Sequence, residues 1–172
     1  MPISPSIATI PSHVAGDVFT ADMWTDLQTD INQGIVEQIG VMVKRTTNQA
    51  VASATAVVLS FDTDVQDVYG MWSSGSPTNL VAPIQGWYEV GINVTWAATS
   101  GGGGPPEVRF IQNGTAVIVA STGLQNDGTH ATQQNHDTKL YCLAGDIITI
   151  SVLQRTGASL NVTGAVATLV RI

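Results

Sequence analysis

The chain has 172 residues, a formal net charge of −7 and only 11% Asp, Glu, Lys and Arg, against roughly 25% in an average soluble domain. Its six Lys and Arg are too few and too scattered to build the cationic stripe that a phosphate backbone requires, which excludes nucleic acid as a partner. The single cysteine, Cys142, excludes an intramolecular disulfide, so the fold must rest on packing and hydrogen bonds, for which a domain that buries about 70% of its unfolded surface has enough core.

The opening MPISPSIATIPSHVAGD has no basic n-region and no continuous apolar stretch, so it does not read as a secretion signal. No segment reaches the roughly 18 apolar residues of a membrane span, and a chain made soluble in a cytoplasm, without membrane insertion, is the expectation. Pro2, Pro5 and Pro11 fix φ and remove backbone donors, which makes residues 1–18 an irregular arm. Ile3, Ile7, Ile10 and Val14 give the arm apolar teeth suited to lying against another protein; the alternative is a frayed terminus. A helix follows, with Thr20 as N-cap, Asp22 and Asp26 near the positive end of its dipole and Phe19 placed to staple onto Trp24. Trp24, Leu27, Ile31 and Ile35 form one apolar stripe, which fits either a neighbouring surface or the helix's own domain, and Gly34 or Gly40 would end it.

From residue 41 the hydrophobic period becomes two. AVASATAVVLSFDT and VYGMW supply short strand candidates. In GWYEVGINVTWAA, Tyr88, Val90, Ile92, Val94 and Trp96 share one face and Glu89, Gly91, Asn93 and Thr95 the other, as a half-buried strand requires. Asn113-Gly114 lies between two β-rich runs and predicts a hairpin over 107–121, because both residues tolerate the positive φ of a type I′ turn. Gly145-Asp146 punctuates LYCLAGDIITISVLQ, and SLNVTGAVATLVRI reads as a final strand. SGGGGPP at 100–106 and TGLQNDGTHATQQNHD at 122–137 read as loops. Eight or more strands with no helix between them predict an antiparallel sandwich or jelly roll.

No stretch calls for catalysis: there is no G-x-S-x-G elbow and no H-E-x-x-H, and Cys142 alternates with Leu140 as a buried small hydrophobe would. A non-enzymatic chain with no cofactor and no metal is expected. His130 and His136, with Asp127 and Asp137 nearby, match no closed zinc spacing and read as solvated loop residues that are free to touch a ligand. Asp62, Asp64 and Asp67 lack the glycine and terminal glutamate of an EF-hand loop and read as a solvated strand connection, with calcium as the alternative. Trp72 and Trp87 are the aromatic candidates for ligand contact, placed at strand ends or opposite the core alternation; the competing reading puts them in the core or at a subunit interface.

TTNQAVASATAVVLSFDT, DVYGMW, GWYEVGINVTW, FIQNG, LAGDIITISVLQ and the final aliphatic strand, in that order, resemble the trimeric jelly roll of tumour necrosis factor and the complement globular head, in the version carried by phage structural proteins. The resemblance covers about residues 41–172. AGDVFTADMWTDLQTDIN resembles the N-terminal segment of phage tail and appendage proteins, where GD…TA leads into a short helix. The resemblance implies a sandwich of about ten strands around a threefold axis, with calcium near that axis in some relatives. The final strand departs from the family pattern, offering Val166, Leu169, Val170 and Ile172 where aromatic residues are frequent.

The expected molecule is therefore an all-β homotrimer: an attachment arm and short helix at 1–40, then a jelly-roll head at 41–172. Its expected role is a virion structural protein, either a tail or appendage attachment protein or a capsid decoration. It would be fastened to other virion proteins through Ile3, Ile7, Ile10, Phe19, Trp24, Leu27 and Ile31, and would touch a host cell-surface glycan through Trp72, Trp87, His130 and His136. The alternative is a soluble trimeric cytokine-like or lectin-like module that binds carbohydrate.

Overall fold

The computed structural model describes residues 39–98, 106–120 and 131–172; the arm, the predicted helix, His130 and most of the two predicted loops lie outside them. Among the described residues there are eleven strands and no helix. They are β1 (Gly40–Arg45), β2 (Gln49–Val51), β3 (Val57–Val58), β4 (Thr63–Asp67), β5 (Leu80–Val81), β6 (Gly86–Trp96), β7 (Glu107–Gln112), β8 (Thr115–Ala120), β9 (Thr132–Cys142), β10 (Ile147–Leu153) and β11 (Leu160–Arg171). One six-stranded sheet runs β4-β1-β11-β6-β9 with β2 alongside β11, and a five-stranded sheet runs β3-β10-β7-β8 with β5 alongside β10. Every pairing between named strands is antiparallel.

The core lies between the sheets and follows the period-two pattern. Tyr88, Val90, Ile92, Val94 and Trp96 of β6 face Val108 and Phe110 of β7 and Ile148, Ile150 and Val152 of β10, all buried, so β6 is built as its alternation predicts. In β11 the inward set changes parity, from Leu160 and Val162 to Ala165, Ala167 and Leu169. A bulge opposite Trp96 and Thr95 inserts the extra residue that makes the change. Leu169 is therefore core, while Val166 and Val170 point outward.

The β7–β8 hairpin forms as predicted, with Asn113 at φ 50° and Gly114 at φ 80°. Two expectations fail. VYGMW is not a strand: Gly70 turns the chain at φ 66°, and the Asp67 carboxylate accepts hydrogen bonds from the N–H groups of Met71 and Trp72, both at 2.8 Å, which ties that backbone to a side chain instead of a ladder. Residues 132–137, expected in a loop, belong to β9, where Thr132 and Gln134 take inward positions that composition assigns to apolar residues. Gln134 fits there because its Oε1 accepts from Trp96 Nε1 at 2.7 Å and its Nε2 donates to the Pro106 carbonyl at 2.8 Å. Gly40, one of two suggested helix terminators, opens β1.

Candidate interaction surface

With the even-numbered residues of β6 in the core, Trp87, Glu89, Gly91, Asn93 and Thr95 lie on the outer face of the six-stranded sheet. The register sets their neighbours: Trp87 opposite Tyr141, Glu89 opposite Lys139, Gly91 opposite Asp137 and Asn93 opposite Asn135 on β9. On the other side stand Val170, Thr168 and Val166 of β11, followed by Gly40, Met42 and Lys44 of β1. Side chains of β11 close over two glycines of this face. A methyl group on Gly91 would come within 2.7 Å of the Thr168 hydroxyl, and one on Gly40 within 3.1 Å of a Val170 methyl.

The apolar end of the face is formed by Trp87 and Tyr141. Their rings meet edge to face at 5.6 Å and 73°, an arrangement the ring quadrupoles favour. Ile172 donates its N–H to the Trp87 carbonyl at 2.9 Å, which brings the last residue beside them. Trp87 is 54% exposed, Tyr141 48%, Ile172 55%, and Leu143, two residues beyond Tyr141, 56%. Large apolar groups clustered in this way on one surface mark an interaction site where single exposed ones do not.

The two tryptophans proposed for ligand contact part company here. Trp87 is on the surface, whereas Trp72 packs against the core, with its Nε1 donating to the Pro77 carbonyl at 3.2 Å. His136 lies in β9, half-buried, not in a loop. Ile3, Ile7, Ile10, Phe19, Trp24, Leu27, Ile31 and His130 lie outside the described residues. The surface partners that sequence reasoning missed are Tyr141 and Leu143. The signal for Tyr141 was present, since it sits on the opposite parity from Leu140 and Cys142.

Four of the carboxylates, Asp62, Asp67, Glu107 and Asp146, are engaged in the fold. Burial opposes ionisation of Asp62, yet hydrogen bonds from the hydroxyls of Thr47 and Thr63 and the N–H groups of Thr46 and Thr47 hold its carboxyl far below the usual range. It lies exposed in the strand connection expected of it and caps the turn after β1 from there. Asp67 caps Met71 and Trp72, as above. Glu107 accepts from Arg109 at 2.9 Å and from Arg155, which lowers its pKa. Among the described residues no three His, Cys, Asp or Glu side chains are grouped as a metal site would need. Cys142 is fully buried, and burial, with the Asp146 charge, pushes its thiol up to about 11, which leaves it a packing residue and not a nucleophile.

No family model matches this sequence, and no curated protein matches it. Solved structures do. The globular domain of the zebrafish complement 1qA protein superposes with a TM-score of 0.55 at 14% identity, over 79% of this chain and 98% of that one. The Eiger TNF from S. frugiperda gives 0.53 at 10% identity, over 78% and 92%. At this sequence distance the likeness concerns the fold alone, and it identifies the two sheets as a jelly roll of the tumour necrosis factor and complement globular head type.

Proposed function

We propose that this chain is a non-enzymatic structural protein that assembles as a homotrimer through the outer face of its six-stranded sheet, and that residues 1–40 fasten the trimer to a virion. The observation that carries the reading is the exposed Trp87–Tyr141 pair at one end of that face, with the exposed Ile172 bonded to the Trp87 backbone. An isolated subunit would leave it in water, whereas neighbouring copies would bury aromatic anchors of the kind that dominate interfaces. Glu89 and Lys139 stand side by side next to the pair, so the surface offers both charges to a copy of itself. Native mass spectrometry of the full chain tests the assembly: three copies are expected, and a single copy at micromolar concentration overturns it. For the virion role, a chain lacking residues 1–18 should still trimerise yet fail to enter particles; full incorporation overturns the anchoring.

A second reading is favoured by the Trp87–Tyr141 pair, since exposed aromatic faces also stack on sugar rings. In that case the chain binds glycans in solution, and Trp87→Ala abolishes the binding while leaving the subunit count unchanged.

A further inference from the structure

Asn113-Gly114 is the only Asn-Gly step in the sequence, and it sits in an exposed hairpin turn. An asparagine followed by glycine meets little steric hindrance to attack on its side chain by the next backbone nitrogen, since the glycine has no Cβ. Here the asparagine amide is held at both ends by the corner between β9 and β10. Its Nδ2 donates to Asp146 Oδ1 at 2.8 Å, and its Oδ1 accepts from the Ile147 N–H at 2.9 Å. Its backbone N–H donates to the Ile147 carbonyl at 2.9 Å. Asp146 is fixed in turn by Gln112 Nε2 and the Leu143 N–H, each donating to Oδ2 at 2.8 Å.

We propose that Asn113 is a deamidation site kept closed by Asp146, and that its conversion to a carboxylate separates the β7–β8 turn from the β9–β10 corner. In the reaction the Gly114 nitrogen bonds to Asn113 Cγ, the Cγ–Nδ2 bond breaks, and the Gly114 amide proton leaves with Nδ2 as ammonia. Water then opens the succinimide to aspartate or isoaspartate. The clamp opposes the first step, because that step expels Nδ2 as ammonia and so gives up its hydrogen bond to Asp146, and turning the amide to react disturbs the bond from Ile147 to Oδ1. The product cannot return to the clamp: an oxygen would replace Nδ2 and set one carboxylate against another at a spacing now bridged by a hydrogen bond.

Peptide mapping by mass spectrometry, on the full chain held at neutral pH, measures the rate. Native Asn113 should convert at least about tenfold more slowly than Asn113 of the same chain in urea, the factor that one charge-assisted hydrogen bond contributes. Equal rates overturn the proposal. Asp146→Asn, which keeps the shape and removes the charged acceptor, should accelerate conversion in the folded chain; an unchanged rate also overturns it. The product arm does not depend on those rates. Asn113→Asp should lower the urea midpoint, and adding Asp146→Asn should restore it, because the exchanged pair rebuilds the same hydrogen bond with donor and acceptor reversed. An Asn113→Asp chain as stable as the parent contradicts the claimed separation.

Discussion

Trp96 and Gln134 share the interior of the sandwich, and the indole N–H has its partner only because a glutamine occupies an inward position of β9. Replacing Gln134 by alanine removes that acceptor and the donor to Pro106 together, leaving a buried N–H without a bond. The expected cost is about 3 kcal/mol, read as a lower urea midpoint with an unchanged slope. Gln154 has a similar role: its Nε2 donates to the carbonyls of Val51 and Ala158, and its Oε1 accepts from Thr156. Beside it Ala54 stands at φ 59°, a conformation unfavourable for any residue with a Cβ, and its N–H donates to the Gln154 carbonyl at 2.7 Å. Ala54→Gly should raise stability by about 0.5 to 1 kcal/mol, since the relief of strain exceeds the added chain entropy.

At the scale of elements, the β6–β11 pair shows how closely two strands are matched. Gly91→Ala should destabilise by about 1 to 3 kcal/mol, through the close approach of its methyl to the Thr168 hydroxyl. Adding Thr168→Ala removes that hydroxyl and should recover most of the loss, a coupling that a double-mutant cycle measures. Strands were legible in the sequence where apolar side chains alternate, as in β6 and β10, β11 was legible from its Val, Thr and Ile content, and the Asn113-Gly114 turn was legible from its backbone chemistry alone. β9 was obscured because Thr132 and Gln134 fill core positions with polar side chains. The groups that satisfy Gln134, on Trp96 and Pro106, lie 38 and 28 residues from it along the chain, beyond the reach of any local pattern. VYGMW was misread because a local carboxylate, Asp67, competes for the N–H groups that a ladder would have used. Of the candidate surface, Trp87 was found by its parity, and Tyr141 was legible by the same parity opposite Leu140 and Cys142, although its pairing with Trp87 across β6 and β9 was not, because that register is set by residues some fifty positions apart.

For the whole molecule, acid is the lever. Asp62, Glu107 and Asp146 all have folded pKa values below their ordinary ones, so the unfolded chain binds protons more readily. Stability contributed by these groups is complete above the ordinary carboxylate range and is lost as pH falls through about 4 and below. Thermal unfolding across that interval should show a falling midpoint, with Asp62→Asn flattening the acid side of the profile. In the proposed trimer, burial of the exposed Trp87 and Tyr141 rings would add to this stability and make the folded state depend on protein concentration. The direct test is sedimentation equilibrium of the full chain beside its Trp87→Glu variant. The parent should sediment as three subunits and the folded variant as one; equal masses for the two would contradict the outer face of the six-stranded sheet as the surface of assembly.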